Sequence, residues 1–282
     1  MVDSALVLGA GGITGIAWQL GLVIGLRDAG VDLTGAELVV GTSAGSVTGA
    51  LLAAGIDPVD GAKIEARLGA DDPAIEPDWV RGSEVFALLN DESRDPDEIR
   101  ALVGVLAREA TVMGEDAYVA SLNRRLPPAT WPATPRLVIT AVDAEQGEPV
   151  AWDHESGIPL HLAVAASCAV PCVFPTVTIG GVRYMDGGVR SGTNADLATG
   201  ASRVVVLAPL APIRMRGAPA AEIDALRERS AVALVAPDEA TLEALGPNVL
   251  DSGRWEPAIE AAIAQGRRVA PEVARVWTGA GA

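Results

Sequence analysis

The chain is poor in the residues that carry metal, redox and disulfide chemistry. It has two cysteines and two histidines in 282 residues. Cys168 and Cys172 form a lone C-x3-C, which is no disulfide framework. Without a companion His or Cys cluster it is also a poor metal site. Both are read as small buried fillers, and a reducing compartment fits. Aromatics are only 4% of the chain, so alanine, glycine and aliphatic residues must build the core. Positive charge is scarce too: 21 Lys and Arg face 37 Asp and Glu, for a net charge of −16. That excludes nucleic acid as a partner, because its binding needs a basic surface. It also disfavours electrostatic docking on anionic membranes, and solubility is the simplest reading of the charge. There is no internal repeat and no low-complexity linker.

What is present is apolar. Hydrophobic residues make up 49% and mean hydropathy is +0.30, enough for a sizeable core in one α/β domain of this length or in two small ones. Ala5 to Ile24 carries no charge and is long enough to span a bilayer. However, Gly9, Gly11, Gly12 and Gly15 cluster within it, and no basic residue precedes it, so strand, glycine loop and helix is the better parse. The expectation is a soluble, cytoplasmic chain with no cleaved leader and no transmembrane helix. Short apolar runs at 5–8, 37–40, 136–142, 203–207 and 232–235 read as strands. Helical patterns at 14–29, 44–55, 222–229, 239–245 and 255–276 alternate with them. This alternation predicts an α/β fold with a mostly parallel sheet covered on both faces. Residues 57–131 hold no strand pattern but four helical ones, at about 58–68, 83–90, 96–110 and 115–126, two of them opening at Asp57-Pro58 and Asp95-Pro96. They are read as a helical insert or cap within a single domain of residues 1–282, with ordinary packing on the sheet as the alternative. Thr176–Ile179 and Val182–Met185 flank Gly180-Gly181 as a tight hairpin that delivers Asp186-Gly187-Gly188.

Gly41-Thr42-Ser43-Ala44-Gly45 lies between a strand and a helix, which is the setting of a nucleophile elbow. The flanking Gly41 and Gly45 suit a sharp turn that leaves Ser43 outward with an exposed hydroxyl, and the following helix aims its N-terminal dipole at the same place. A glycine-rich turn with a surface serine is the alternative, since a chain with 31 glycines produces G-x-S-x-G easily. Gly9 to Gly15 opens a helix and offers backbone N–H groups in a small space. A dinucleotide loop there fails the G-x-G-x-x-G spacing, with Thr14 at the last position. No histidine follows Asp186, so the usual Ser, Asp, His order is missing. His154 reads as a loop residue and His161 as a helix-packing one. A serine–aspartate pair needs neither. Asp186-Gly187-Gly188 as a plain turn stays open on the residues alone.

Together, Gly11-Gly12-Ile13-Thr14-Gly15, Gly41-Thr42-Ser43-Ala44-Gly45 and Asp186-Gly187-Gly188 resemble the patatin-like phospholipase family. Ala166–Pro171, Phe174-Pro175 and Asn194–Ala198 add to the resemblance, which covers about 4–210. It implies a patatin-like three-layer α/β/α sandwich and a Ser–Asp dyad, with Ser43 as nucleophile and Asp186 as base. The amides of Gly11, Gly12 and Ile13 would form the oxyanion hole, with Gly187 and Gly188 supporting the dyad. The implied reaction cleaves lipid or other fatty acyl esters through an acyl-serine, with no metal and no organic cofactor. Transient membrane contact is the further partner expected, and oligomeric state is left open. The family loop carries a glycine at position 10 and a basic residue at position 14. Ala10 and Thr14 replace them, which weakens the expectation of a phospholipid head group more than that of acyl-ester hydrolysis. A patatin fold that binds lipid or a partner without turnover is the alternative.

Overall fold

A computed structural model describes residues 2–70, 75–126, 130–211 and 220–279, with side chains undescribed at 69 and 70. β1 (Ser4–Leu8) leads through a glycine loop into α1 (Gly12–Asp28), and β2 (Leu38–Gly41) leads through the elbow into α2 (Ala44–Ala53). Four helices follow: α3 (Pro58–Ala70), α4 (Trp79–Leu89), α5 (Pro96–Glu109) and α6 (Glu115–Arg125). Then come β3 (Arg136–Asp143), β4 (Pro149–Trp152), α7 (Leu160–Ser167) and the hairpin of β5 (Val177–Ile179) and β6 (Val182–Asp186). The chain closes with β7 (Arg203–Leu207), α8 (Ala220–Arg227), β8 (Ala231–Val235), α9 (Glu239–Leu245) and α10 (Trp255–Trp277). Asp95 caps α5 by accepting from the Asp97 N–H at 2.8 Å, with Pro96 in the first turn, as the Asp-Pro pattern predicts.

The hydrogen-bonded path across the sheet is β5-β6-β3-β2-β1-β7-β8, with β4 also paired to β3. The four pairings among β3, β2, β1, β7 and β8 are parallel, and the three involving β4, β5 and β6 are antiparallel. Alternate residues feed two layers, as the pleat requires. Leu6, Leu8, Val39, Ile139 and Val205 join the core under α1, α2, α7 and α10. Ala5, Val7, Val40, Val204 and Val206 join Ile223 and Leu226 of α8 on the other face. Helices therefore flank a central sheet in an α/β/α arrangement. The four helices between α2 and β3 divide between the first core and a separate, third cluster. Ala62 of α3 and Tyr118 and Leu122 of α6 belong to the first core, whereas Val85 of α4 and Val103 of α5 pack on Val142 and Met185. β4 escapes the sequence pattern because it is a four-residue, half-exposed pairing that opens on proline.

α1 explains the long uncharged run. It is buried continuously from Thr14 to Leu26, so it has no polar face. Among the described residues no helix is long and apolar enough to cross a membrane. α10 covers α1 at close range. A Cβ on Gly25 would stand 2.2 Å from the Ile263 carbonyl oxygen, and the Trp18 indole N–H donates to Gln265 Oε1 at 2.8 Å.

The pairings of β3 position the site. Ile139 pairs with Gly41 and with Trp152, so β2 and β4 hold opposite edges of β3. Ala141 pairs with Val150 and with Asp186, so β6 also lies opposite β4. β2 and β6 thus share one edge, end to end. β2 runs parallel to β3 and β6 antiparallel, so their carboxyl ends meet beside Thr140.

Candidate active site

Ser43 leaves β2 with φ 53° and ψ −120°, a backbone that costs a non-glycine residue about 1–3 kcal/mol. Neighbours hold it there. The Ser43 N–H donates to Ser167 Oγ at 2.9 Å, and its carbonyl accepts from Ser46 Oγ at 2.7 Å and from Cys168 Sγ at 3.2 Å. The elbow glycines serve close approach. A Cβ on Gly45 would lie 1.9 Å from the Leu8 carbonyl oxygen, and one on Gly41 would lie 2.6 Å from that of Gly45. The positive φ belongs to the serine itself. Ser43 is 5% exposed and lines a pocket, so the expectation of an outward, exposed hydroxyl is corrected: the elbow points it into a slot.

Asp186 ends β6, and the turn of Gly187–Val189 begins there. Its Oδ1 accepts from the Gly188 N–H at 2.7 Å. Oδ2 is buried with no hydrogen-bond partner within 3.5 Å among the described residues. Burial pushes the carboxyl up to about 7, against the opposing pull of the Ser43 hydroxyl and the Gly188 N–H. Ser43 is thus the carboxylate's side-chain neighbour.

Two bridges tie the serine to the acid. The last residue of α7 and the turn after it form the first: Ser167 Oγ takes the Ser43 N–H, and the Ala169 carbonyl takes the Asp186 N–H at 3.0 Å. Asn194, in left-handed backbone at φ 48°, forms the second. Its amide donates to Thr42 Oγ1 at 3.0 Å and lies 3.3 Å from both Thr140 Oγ1 and the Gly187 carbonyl. Arg190 donates to Asn194 Oδ1 at 2.7 Å, which fixes the amide's orientation.

The glycine loop supplies donors. The N–H groups of Gly11, Gly12 and Ile13 have no acceptor among the described residues, and neither does that of Ala44 at the head of α2. Gly12 has φ +61°, and a Cβ there would meet the Val249 carbonyl oxygen at 2.6 Å. That carbonyl accepts from the Thr14 N–H at 3.0 Å, with Thr14 Oγ1 3.5 Å away. Thr14 is buried and anchors the loop to the C-terminal region.

The slot beyond Ser43 holds about 700 Å³ of empty space, open mouth included. Its walls are mainly apolar, with Ile13, Ile16, Val47, Leu122, Phe174 and Leu250 among them. Cys168 also lines it, so the filler reading holds for buried Cys172 and misses the place of Cys168. Burial pushes the Cys168 thiol up to about 12, which keeps it a neutral donor to the Ser43 carbonyl. His154 is exposed, and neither histidine lines the slot. Among the described residues no group of three His, Cys, Asp or Glu could hold a metal ion.

Sequence reading gave no role to Thr42 or Ser167, although both lie in the motifs it singled out, and none to Thr140, Tyr118 or Arg125, which lie outside those motifs.

The fold and site define an α/β/α protein with a serine on a strained strand-to-helix elbow, a buried carboxyl beside it and an apolar slot. A family model described as patatin-like phospholipase matches residues 6–199, and the chain belongs to that family of lipid-acting hydrolases. VipD from Legionella pneumophila is similar in structure, with a TM-score of 0.46 and 14% identity over 96% of this chain and 67% of that one. The type III effector protein ExoU is similar with a TM-score of 0.44 and 20% identity, over 96% of this chain and 53% of its own. No curated protein matches the sequence.

Proposed function

We propose that the protein is a serine acyl hydrolase that cleaves lipid acyl esters with a Ser43–Asp186 dyad. The observation that carries this reading is Ser43 in strained backbone beside a buried, otherwise unengaged carboxylate oxygen, in the wall of an apolar slot. Ser43 Oγ attacks the ester carbonyl carbon while Asp186 takes its proton. The oxyanion is held by the amides of Gly11, Gly12 and Ile13, joined by Ala44. Collapse expels the alcohol, which takes the proton from Asp186 and leaves the acyl group on Ser43. Water then attacks the acyl carbon, giving its proton to Asp186. Release of the fatty acid returns that proton to Ser43. A carboxyl near 7 suits this exchange, because it is ionised for attack yet basic enough to hold the proton.

Contact with a lipid surface would use α4, whose Trp79, Val80 and Phe86 are 75%, 72% and 61% exposed. The α4 amino end adjoins the slot wall, since the Asp78 N–H donates to the Cys172 carbonyl at 2.8 Å between Val170 and Phe174.

The test is labelling by a fluorophosphonate. Wild type should label and Ser43→Ala should not. A folded wild type that resists labelling removes the hydrolase reading, and the chain is then a lipid-binding member of the family. Loss of turnover in His154→Ala would instead overturn the assignment of the base.

A further inference from the structure

The Asn194 carboxamide links Thr42 to the Gly187 carbonyl, and it also donates to the Ser191 carbonyl at 2.9 Å. Its place depends on the backbone that carries it. Asn194 is 1% exposed, and its φ of 48° is uncommon for a residue other than glycine. The residues on either side of it share one acceptor. The Thr193 hydroxyl donates to Glu222 Oε2 at 2.8 Å, and the Ala195 N–H donates to the same oxygen at 2.9 Å. A carboxylate oxygen can accept both at once, and bonds to a charged acceptor are stronger than neutral ones. Glu222 stands in the first turn of α8. Ile223 and Leu226 of that helix pack on the face of the sheet away from α1, α2 and α6, which line the slot. The family match ends at residue 199, so this brace comes from beyond it.

Resting on the hydrolase reading above, we propose that Glu222 is a positioning residue for the reaction: from the opposite layer of the molecule it holds Thr193 and Ala195, and so sets the Asn194 amide that spaces Ser43 from Asp186. Thr42 immediately precedes Ser43, and Gly187 immediately follows Asp186. A shift of the amide therefore reaches each reacting residue through one peptide unit. Without the Glu222 carboxylate, the loop keeps its contacts to Ser191 Oγ and Arg190 but loses the bonds that flank its left-handed residue. Ser43 stays in its elbow, because Ser167, Ser46 and Cys168 hold its own N–H and carbonyl. Glu222 does not line the slot, so the substrate contacts stay too. The loss falls on proton transfer between Ser43 and Asp186, and hence on kcat and not on KM.

The test is steady-state hydrolysis of p-nitrophenyl butyrate, with the fold of each variant checked by circular dichroism. Glu222→Ala should lower kcat by about 10-fold and change KM by less than about twofold, the effect of misplacing a reacting group. It should also move the acid limb of the kcat profile, which a loss of stability alone would leave in place. Glu222→Gln keeps an acceptor oxygen and should stay within about threefold of wild type. In an Asn194→Ala background, Glu222→Ala should cost less than about twofold more, because the group it positions is already gone. Asp224→Ala removes an exposed partner of Arg227 on the same helix and should match wild type. Thr193→Val loses only the hydroxyl donor, should lower kcat by about threefold, and decides the matter if Glu222→Ala does not fold. Full kcat in folded Glu222→Ala, or in folded Thr193→Val standing in for it, overturns the positioning role and leaves the hydrolase reading in place. So do losses that multiply in the double variant, and a Glu222→Gln as slow as Glu222→Ala. A folded wild type that neither turns over the ester nor labels with a fluorophosphonate overturns both.

Discussion

Asp186 illustrates how a single buried group couples stability to chemistry. Its carboxyl is shifted from the ordinary 3.8 to about 7 by loss of solvent. Between those two values the native state holds a proton that the unfolded chain has released. Stability is therefore greatest below the lower value and falls as pH rises to about 7, by on the order of 4 kcal/mol if the whole shift is expressed. Asp186→Asn removes the ionisation, so its Tm should exceed that of wild type at pH 8 and approach it at pH 4 in thermal melts. The same substitution should abolish turnover. Wild-type kcat/KM should rise with pH through a limb near 7 as the base ionises. Asn194 acts at one remove, between Thr42 and Gly187. Asn194→Ala should lower kcat by about 10- to 100-fold with little change in KM, the effect of misplacing one reacting group. It should also move the acid limb of the pH profile, which a simple loss of stability would leave in place. Cys168 shows the reverse case. With its thiol held neutral, Cys168→Ala should keep most of its turnover, and iodoacetamide at pH 8 should leave Cys168 of the folded protein unmodified.

At the scale of elements, the site depends on how closely α2 approaches the end of β1. Gly45→Ala would place a methyl group 1.9 Å from the Leu8 carbonyl oxygen, against backbone that cannot swing aside. It should cost more than about 3 kcal/mol in denaturant unfolding, the range of severe steric substitutions. The elbow motif was legible in sequence because a strand, a small-residue turn and a helix leave a local pattern. The amino end of α4 was not. The sequence pattern begins at 83, whereas Asp78 caps a helix that starts at Trp79. Its exposed Trp79 and Val80 break the apolar period on which such a reading depends. The glycine pattern was legible as a loop, but not as a clamp, because Thr14 finds its partner Val249 at a separation of 235 residues.

The whole molecule closes around α1. The family match ends at residue 199, yet Val249 and Leu250 complete the glycine loop and the slot, and α10 covers α1 through contacts that only glycine permits. Gly25→Val should therefore lower Tm sharply and reduce fluorophosphonate labelling in parallel, although residue 25 lies outside the slot lining. A labelling rate that persists after α1 and α10 are forced apart would show that the site tolerates their separation.

Period and composition by themselves determined the alternating strands and helices, the burial of the uncharged run and the three motifs. These are local properties, written in spacings of two to four residues and in the steric freedom of glycine. Only the tertiary structure decided that β2 and β6 meet end to end on one edge of β3. It alone showed that Ser43 faces a slot, and that Arg125 in the slot wall pairs with Glu65. Those relations join residues tens to hundreds of positions apart. They arise from which strands share an edge and which helices cover a face, and no local pattern in the chain encodes them.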